Sequence, residues 1–260
     1  MKLTSWSPSR LTKYESCPLN AKLEFNDKLC PKCFRGKTKG GFGTPVTCDT
    51  CRAEIEAGPA LVRGSEIGKS LELYTTGQAD TLDIRIENPK VQEIAKNVRE
   101  MYHDGRILVE LNIILSPSWV RLLGDFPKGA WFRGRIDVLC KHEPDYYQVV
   151  DWKTGGVDRQ GKLRVGVDKY RDQLELYQVA VLSAYPDVEE VDASLCFIDA
   201  SGDPWVHGKS MRRDKLAKVQ EWWAKRVEPM MEDETYAPTP SAEACKYCPY
   251  KKALGGPCAY

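Results

Sequence analysis

Apolar and polar positions along the chain switch between a three-to-four-residue period and short apolar runs, the signature of interspersed helices and strands. Residues 7–17 open with Ser7 as a helix N-cap and Pro8 at the first helical position, which predicts a short helix that delivers Cys17 near its end and is stopped by Pro18. From Pro59 to Thr76, Leu61, Ile67, Leu71 and Leu73 give a weaker helical pattern. Pro89 to His103 sets Val91, Ile94, Ala95 and Val98 on one side of a clearer helix. The runs 107–115, 130–140 and 146–152 are rich in β-branched and aromatic residues and bounded by polar or Pro/Gly segments, so they read as consecutive strands of one sheet. A polar loop at 154–168 leads to a helix at 169–185 that buries Leu174, Tyr177 and Val181; a strand at 191–198 and a long helix at 210–231 follow. No window reaches the roughly 18 apolar residues of a membrane span, and the first residues hold no signal-like apolar stretch. The expectation is a cytoplasmic protein with no membrane partner.

Of the 260 residues, 42% are hydrophobic and 29% charged, which excludes a disordered or fibrous chain and allows a large core. The net charge of +1 argues neither for nor against a polyanionic partner, so local charge decides. Residues 1–41 hold nine Lys or Arg against three acids, and 159–171 hold five against one. Arg159, Lys162 and Arg164 thus become candidates for holding a phosphate backbone, set against the plainer reading of a solvated loop. Trp222 and Trp223 are adjacent and face different ways on a helix, so core packing is expected of at least one, with base stacking the alternative for the other.

Ten cysteines arranged largely in Cys-x-x-Cys pairs point to metal rather than disulfides. Cys30, Cys33, Cys48 and Cys51 form a self-contained quartet at near zinc-ribbon spacing, in a Gly-rich stretch with too few large apolar side chains to fold by burial. Lys32, Arg35, Lys37 and Lys39 on this insertion grip nucleic acid or a partner, or the module only staples the chain; spacing leaves both open. Cys17 at one end and Cys245, Cys248 and Cys258 at the other make a second set of four, the number that holds either a cubane iron–sulfur cluster or zinc. Cys140 and Cys196 lie in apolar strands and read as buried small hydrophobes.

Side chains alternate along a strand, so Asp151 and Lys153 share a face while Trp152 takes the other. An antiparallel hairpin through 141–146 brings Asp137 of the preceding strand beside Asp151. Two carboxylates at close range call for a cation, and beside an ammonium the set suits Mg²⁺-assisted phosphodiester hydrolysis. Gln173 and Tyr177, four residues apart, share a helical face, where an amide and a phenol reach the catalytic strand or a DNA phosphate.

Taken together, SxSRLxxYxxCP at 7–18, Glu110 in VELN, RGRID at 133–137, VVDWKTG at 149–155, DQLELY at 172–177 and CKYCP at 245–249 resemble the PD-(D/E)XK nuclease superfamily. The likeness is to the branch of RecB-type and AddB-type nuclease domains and CRISPR-associated exonucleases with an iron–sulfur cluster. The resemblance implies an α/β, restriction-endonuclease-like core with a central mixed β-sheet flanked by helices. It implies Asp137 and Asp151 as Mg²⁺ or Mn²⁺ ligands, Lys153 as the catalytic lysine, and Gln173 and Tyr177 as the branch's helical motif beside the site. A [4Fe-4S] cluster on Cys17, Cys245, Cys248 and Cys258 would join the termini, with Zn²⁺ in the small ribbon insertion. The chain departs from the family's early GxxxHxxxE pattern: in GSEIGKSLE, Gly68 stands at the histidine's place and Glu72 is retained, so water, Glu72 or Glu110 would complete the metal shell. The expected organisation is an N-terminal helical segment (1–29), the ribbon insertion (30–51), the nuclease core (52–234) and a Cys-rich cluster segment (235–260). The expected function is a metal-dependent exonuclease on single-stranded or free-ended DNA, in recombination, repair or CRISPR-type processing. With no Gly-x4-Gly-Lys-Ser/Thr loop, unwinding falls to a helicase or to a recombination or CRISPR partner protein. The competing expectation is a nuclease-fold binding module with weak or no cleavage.

Overall fold

The computed structural model describes residues 4–41, 44–55, 58–125, 127–164 and 167–260. The chain forms two compact units, Gly58–Trp222 and a second built from Met1–Ala57 with Trp223–Tyr260.

In the unit that holds both ends of the chain, α1 (Pro8–Ser16) begins as predicted, the Ser7 hydroxyl accepting the Arg10 N–H at 3.4 Å, and Cys17 forms its C-cap. Pro18 does more than stop it. Proline's fixed φ suits a first helical position, and Pro18 opens a second helix, α2 (Pro18–Ala21), which runs into a π-helical turn at Lys22–Asn26. The ribbon insertion contains an antiparallel pair, β1 (Thr38–Gly41) and β2 (Thr44–Cys48); residues 42–43 of the insertion lie outside the described residues.

The unit Gly58–Trp222 contains helices α3 (Pro59–Thr75) and α4 (Pro89–His103), then strands β3 (Ile107–Leu115), β4 (Arg121–Leu122), β5 (Phe132–Lys141) and β6 (Tyr146–Lys153). Helix α5 (Arg171–Ala184), strands β7 (Glu190–Phe197), β8 (Trp205–His207) and β9 (Met211–Arg212), and the start of α6 (Leu216–Glu232) complete it. The sheet runs β4-β3-β5-β6-β7-β8, with β9 beside β7. Among the described strands only the β6–β7 pair is parallel, and α5 is the crossover that parallel pairing requires. Ile67 and Leu71 of α3 and Val91, Ala95 and Val98 of α4 pack with Ile107, Val138, Cys140, Val150 and Cys196 of the sheet. Cys140 and Cys196 are thus buried apolar residues, as their strands predict. Helix α5 lies against β3, β5, β6 and β7 and buries Leu174, Tyr177 and Val181.

Two expected elements differ. The helix expected from 210 begins only at Leu216, because Met211 pairs with Val191 at the sheet and a 3-10 turn at Arg213–Lys215 intervenes. The loop expected over 154–168 is not plain coil: Val157 bridges Leu163, and a 3-10 turn at Val167–Tyr170 leads into α5; residues 165–166 are outside the described set. Trp223 is fully buried and stacked on Trp6 with ring centroids 6.0 Å apart, whereas Trp222 is half exposed. The chain then forms α7 (Ala242–Lys246), capped by the Ser241 hydroxyl. Among the described residues no helix is long and apolar enough to cross a membrane.

Candidate active site and metal centres

The β5–β6 ladder pairs Lys141 with Tyr147 through Val138 with Val150. Past that pair the Trp152 N–H donates to the Asp137 carboxylate, Oδ2 at 2.9 Å, in place of a backbone carbonyl. On β6, Trp152 packs against the α3–α4 core while Asp151 and Lys153 turn to α5, as strand alternation requires. Gln173 of α5 joins the set. Its Nε2 donates to Asp151 Oδ1 (3.1 Å) and to the Tyr177 hydroxyl (2.7 Å), and its Oε1 accepts from Lys153 Nζ (3.2 Å). These partners use the amide's donor and acceptor sides and fix its orientation. Lys153 also pairs with Asp151 Oδ2 and lies over the Tyr170 ring, 5.0 Å from its centroid.

Burial dominates the electrostatics. Asp151 is 2% exposed, and its Oδ2, although beside the Lys153 ammonium, accepts no well-formed hydrogen bond. Desolvation pushes the Asp151 carboxyl up against the pull of Lys153. Asp137 rises to about 7, from desolvation first and the neighbouring Asp151 second, with the Trp152 N–H opposing. The Tyr177 hydroxyl is pushed up by burial and then by Asp151, and stays neutral as Gln173's partner.

Glu110 stands opposite Asp137 in register, between Val109↔Val138 and Leu111↔Ile136. Its φ of 51° is left-handed, a conformation that costs a residue other than glycine about 1–3 kcal/mol and concentrates at functional sites. Its carboxylate pairs with Arg135. A narrow cavity with room for about one water lies among Gly68, Glu72, Glu110, Asp137 and Trp152. A Cβ built on Gly68 meets nothing within 4 Å, so the absent side chain leaves open space here. Two buried carboxyls pushed up together, with Glu110 and Glu72 beside Asp137 at a small cavity, are a donor set that fits a divalent cation, with the Lys153 ammonium already paired to Asp151 Oδ2. These carboxylate oxygens are not already gathered as the ribbon thiols are.

The Sγ atoms of Cys30, Cys33, Cys48 and Cys51 lie within 4.8 Å of one another, a four-thiol group able to bind a metal. Cys30 and Cys51 are 3.9 Å apart and Cys33 and Cys48 3.6 Å, close to the edge of about 3.8 Å for a tetrahedron with 2.3 Å metal–sulfur bonds. Backbone N–H groups of Lys32, Gly36, Thr50 and Cys51 point at these sulfurs. The Gly36 and Arg35 amides bring the Cys33 thiol down to about 6. Burial opposes the same effect at Cys48, where the Cys51 and Thr50 amides prevail and the thiol is lowered. At Cys51 the Ala53 amide pulls downward, but burial and the other three thiols leave it up at about 11.

Cys17, Cys245 and Cys258 lie near enough to Cys248 to raise its thiol, after burial, which is the larger cause. The Thr239 hydroxyl donates to the Ser16 carbonyl (2.9 Å) and the Tyr250 hydroxyl to that of Leu29 (3.0 Å), so the C-terminal segment is bonded to the region around Cys17.

Arg159 and Arg164 line one concave surface with Val157, Asp158 and Gln160, and Lys162 is exposed on the same hairpin. Sequence reasoning missed Tyr170 and Arg135. Arg135 shares a face of its strand with Asp137 and was readable; Tyr170 precedes the helix and gave no periodic signal.

The PD-(D/E)XK nuclease superfamily profile matches residues 48–253, most of the chain, and the protein belongs to that superfamily. Two solved structures align with most of the chain. SSO0001 is 13% identical, with 96% of this chain and 85% of that one covered at a TM-score of 0.46. A protein from Eubacterium rectale, provisionally named an exonuclease, is 15% identical, with 94% and 86% covered at 0.45. At those scores neither adds to the assignment. No curated protein matches the chain.

Proposed function

We propose that this nuclease-superfamily protein is a Mg²⁺- or Mn²⁺-dependent deoxyribonuclease, acting as an exonuclease on single-stranded or free-ended DNA. The observation that carries the reading is the joining of Asp151, Lys153 and Tyr177 through Gln173, with Asp137 bonded to the next amide along β6. Asp137, Asp151 and Glu110 are the residues to hold the cation, which supplies polarisation of the scissile phosphate and a more acidic water. Lys153, held by Gln173 and Asp151, presents a fixed positive charge to the negative charge that develops on the phosphate. Gln173 keeps Asp151 and Lys153 in one arrangement, and Tyr177 occupies its remaining donor. Arg159, Lys162 and Arg164 are the proposed backbone contacts. The preference for ends, and a helicase, recombination or CRISPR partner, rest on the family resemblance.

The thiol groups receive different metals in this reading. The ribbon sulfurs stand at single-ion distances, which supports Zn²⁺ on Cys30, Cys33, Cys48 and Cys51. The group of Cys17, Cys245, Cys248 and Cys258 is less tightly gathered and suits the larger [4Fe-4S] cluster. Visible absorption of the purified protein with separate iron and zinc analysis tests both; a colourless protein with two zinc ions contradicts the cluster.

The open space beside Gly68 favours one other reading, a nuclease-fold binding module that lacks a metal ligand. End-labelled single-stranded and duplex DNA incubated with Mg²⁺ or Mn²⁺ separates the two. The nuclease reading expects shortening from an end, reduced by about 10²–10³-fold or more in Lys153→Ala and Asp137→Ala. Binding without cleavage supports the module, and cleavage that persists in both variants refutes the proposed site.

A further inference from the structure

The backbone leaving β6 has little of its own to hold it. Gly155 and Gly156 are consecutive glycines at φ 76° and 74°, where the chain is freest, directly after Lys153 and Thr154. Gly156 is held within the hairpin, its carbonyl accepting the Arg164 N–H at 2.9 Å, whereas what holds Gly155 comes from far along the sequence. The parallel register Asp151↔Leu195 and Lys153↔Phe197 carries Asp199 to the level of Gly155. The Gly155 N–H donates to Asp199 Oδ2 at 2.5 Å, and the Ile198 N–H donates to the Lys153 carbonyl at 2.9 Å.

Asp199 is fixed in turn by Arg63 of α3, whose two terminal nitrogens reach its two oxygens at 2.8 and 2.5 Å. Such a two-pronged pair is among the stronger and more directional polar contacts. Burial works to raise the Asp199 carboxyl, yet Arg63 and the Gly155 N–H outweigh it and hold it below its ordinary value. At the next residue, a Cβ on Gly64 would come within 2.9 Å of the Thr154 hydroxyl, so α3 itself lies close against the strand exit.

The same loop grips the hairpin that carries the cations. The Ser201 N–H donates to the Gly161 carbonyl at 2.9 Å, and Gly161, at φ 74°, is so close that a Cβ there would sit 2.7 Å from Ser201 Cβ. Behind it, Asn88 caps α4 with its oxygen while its amide donates to the carbonyls of Ala200 (2.6 Å) and Gly202 (3.0 Å). The hairpin is closed from within by Asp158, whose Oδ1 accepts the N–H groups of Gln160 and Lys162.

We infer that Asp199, held by Arg63, is a positioning residue that anchors the exit of β6 and, with Ser201, aims the hairpin of Arg159, Lys162 and Arg164, so that Lys153 and these cations meet a nucleic-acid phosphate in a fixed relation. This inference rests on the nuclease reading. The bond ends on the amide two residues from Lys153, at a left-handed glycine whose backbone has the widest conformational freedom when unheld.

The test uses the full chain. Asp199→Ala removes both bonds, Arg63→Gln leaves the Gly155 acceptor in place, Arg63→Lys is the conservative rescue, and Gly161→Ala pushes the hairpin tip from Ser201. Thermal midpoint, amide hydrogen exchange of the peptide spanning 154–164, and kcat and KM on single-stranded DNA with Mg²⁺ are measured for each. In Asp199→Ala we expect faster exchange over that peptide and a fall in kcat of about tenfold to 100-fold with little change in KM. Arg63→Lys recovers most of the loss seen in Arg63→Gln, and Gly161→Ala raises KM more than it lowers kcat. Unchanged exchange, or faster exchange with unchanged kcat, overturns the inference. Should Asp199→Ala fail to fold, Arg63→Gln against Arg63→Lys decides by the same criteria. If the wild type cleaves no DNA, the nuclease reading fails and the catalytic part of the inference with it, while exchange still reports whether the anchor exists.

Discussion

The ribbon thiols and the carboxylates at the end of β6 are both candidate metal ligands, and the protein treats them in opposite ways. In the ribbon, the sulfurs are gathered at 3.6 and 3.9 Å in their close pairs, and backbone amides pull Cys33 and Cys48 toward thiolate. At the sheet, burial pushes Asp137 and Asp151 toward the neutral acid, even though the Lys153 ammonium is paired with Asp151. The first arrangement is ready to hold an ion permanently. The second stores an electrostatic cost that a cation relieves, which suits an ion that comes and goes with substrate.

That contrast breaks most visibly under chelation. Brief EDTA treatment should abolish cleavage entirely, with full recovery on adding Mg²⁺, while metal analysis finds the ribbon ion still bound. Loss of the ribbon ion first, or cleavage that survives EDTA, would remove the distinction. A smaller effect should come from Gln173→Leu, which deletes the bridge among Asp151, Lys153 and Tyr177 and leaves buried partners unsatisfied. We expect kcat lower by about 10–100-fold, of the order of a lost hydrogen bond to charged groups, and an unchanged ribbon metal content. The smallest effect is Gly68→Ala. With open space at the Cβ and a helical backbone, it should stabilise the fold by about 0.5–1 kcal/mol in chemical denaturation. A destabilised variant would mean that the space beside Glu72 and Glu110 is needed by the fold.

What the sequence made legible follows from how each part is held. Helix α4 and strand β3 were readable to the residue, because long periodic burial specifies them. Strands β4, β8 and β9, two or three residues each, are too short to carry a period and exist through pairing with β3 and β7. That Asp151 and Lys153 share a face followed from strand alternation, while Gln173 beside them was expected from the family resemblance. Arg63 and Asp199 were invisible, because only the parallel β6–β7 register brings Asp199 to the end of β6. The hairpin at 157–164 escaped for another reason: glycines and the Asp158 side chain shape it, with no apolar pattern to read.

The buried like charges of Asp137 and Asp151 are relieved either by a proton or by a divalent cation, so the two compete and metal affinity depends on pH. Asp137, raised to about 7, favours the metal-free fold while protonated, and that stabilisation is lost as pH rises through about 7. A cation needs the ionised carboxylate, so its affinity must climb over the same range. Calorimetric titration of the metal-free site with Mn²⁺ at pH 6 and pH 8, ribbon metal retained, measures this directly. The account predicts binding that strengthens at least several-fold toward pH 8 and disappears in Asp137→Asn with Asp151→Asn; equal affinity at both pH values, or binding that survives the double substitution, would contradict it.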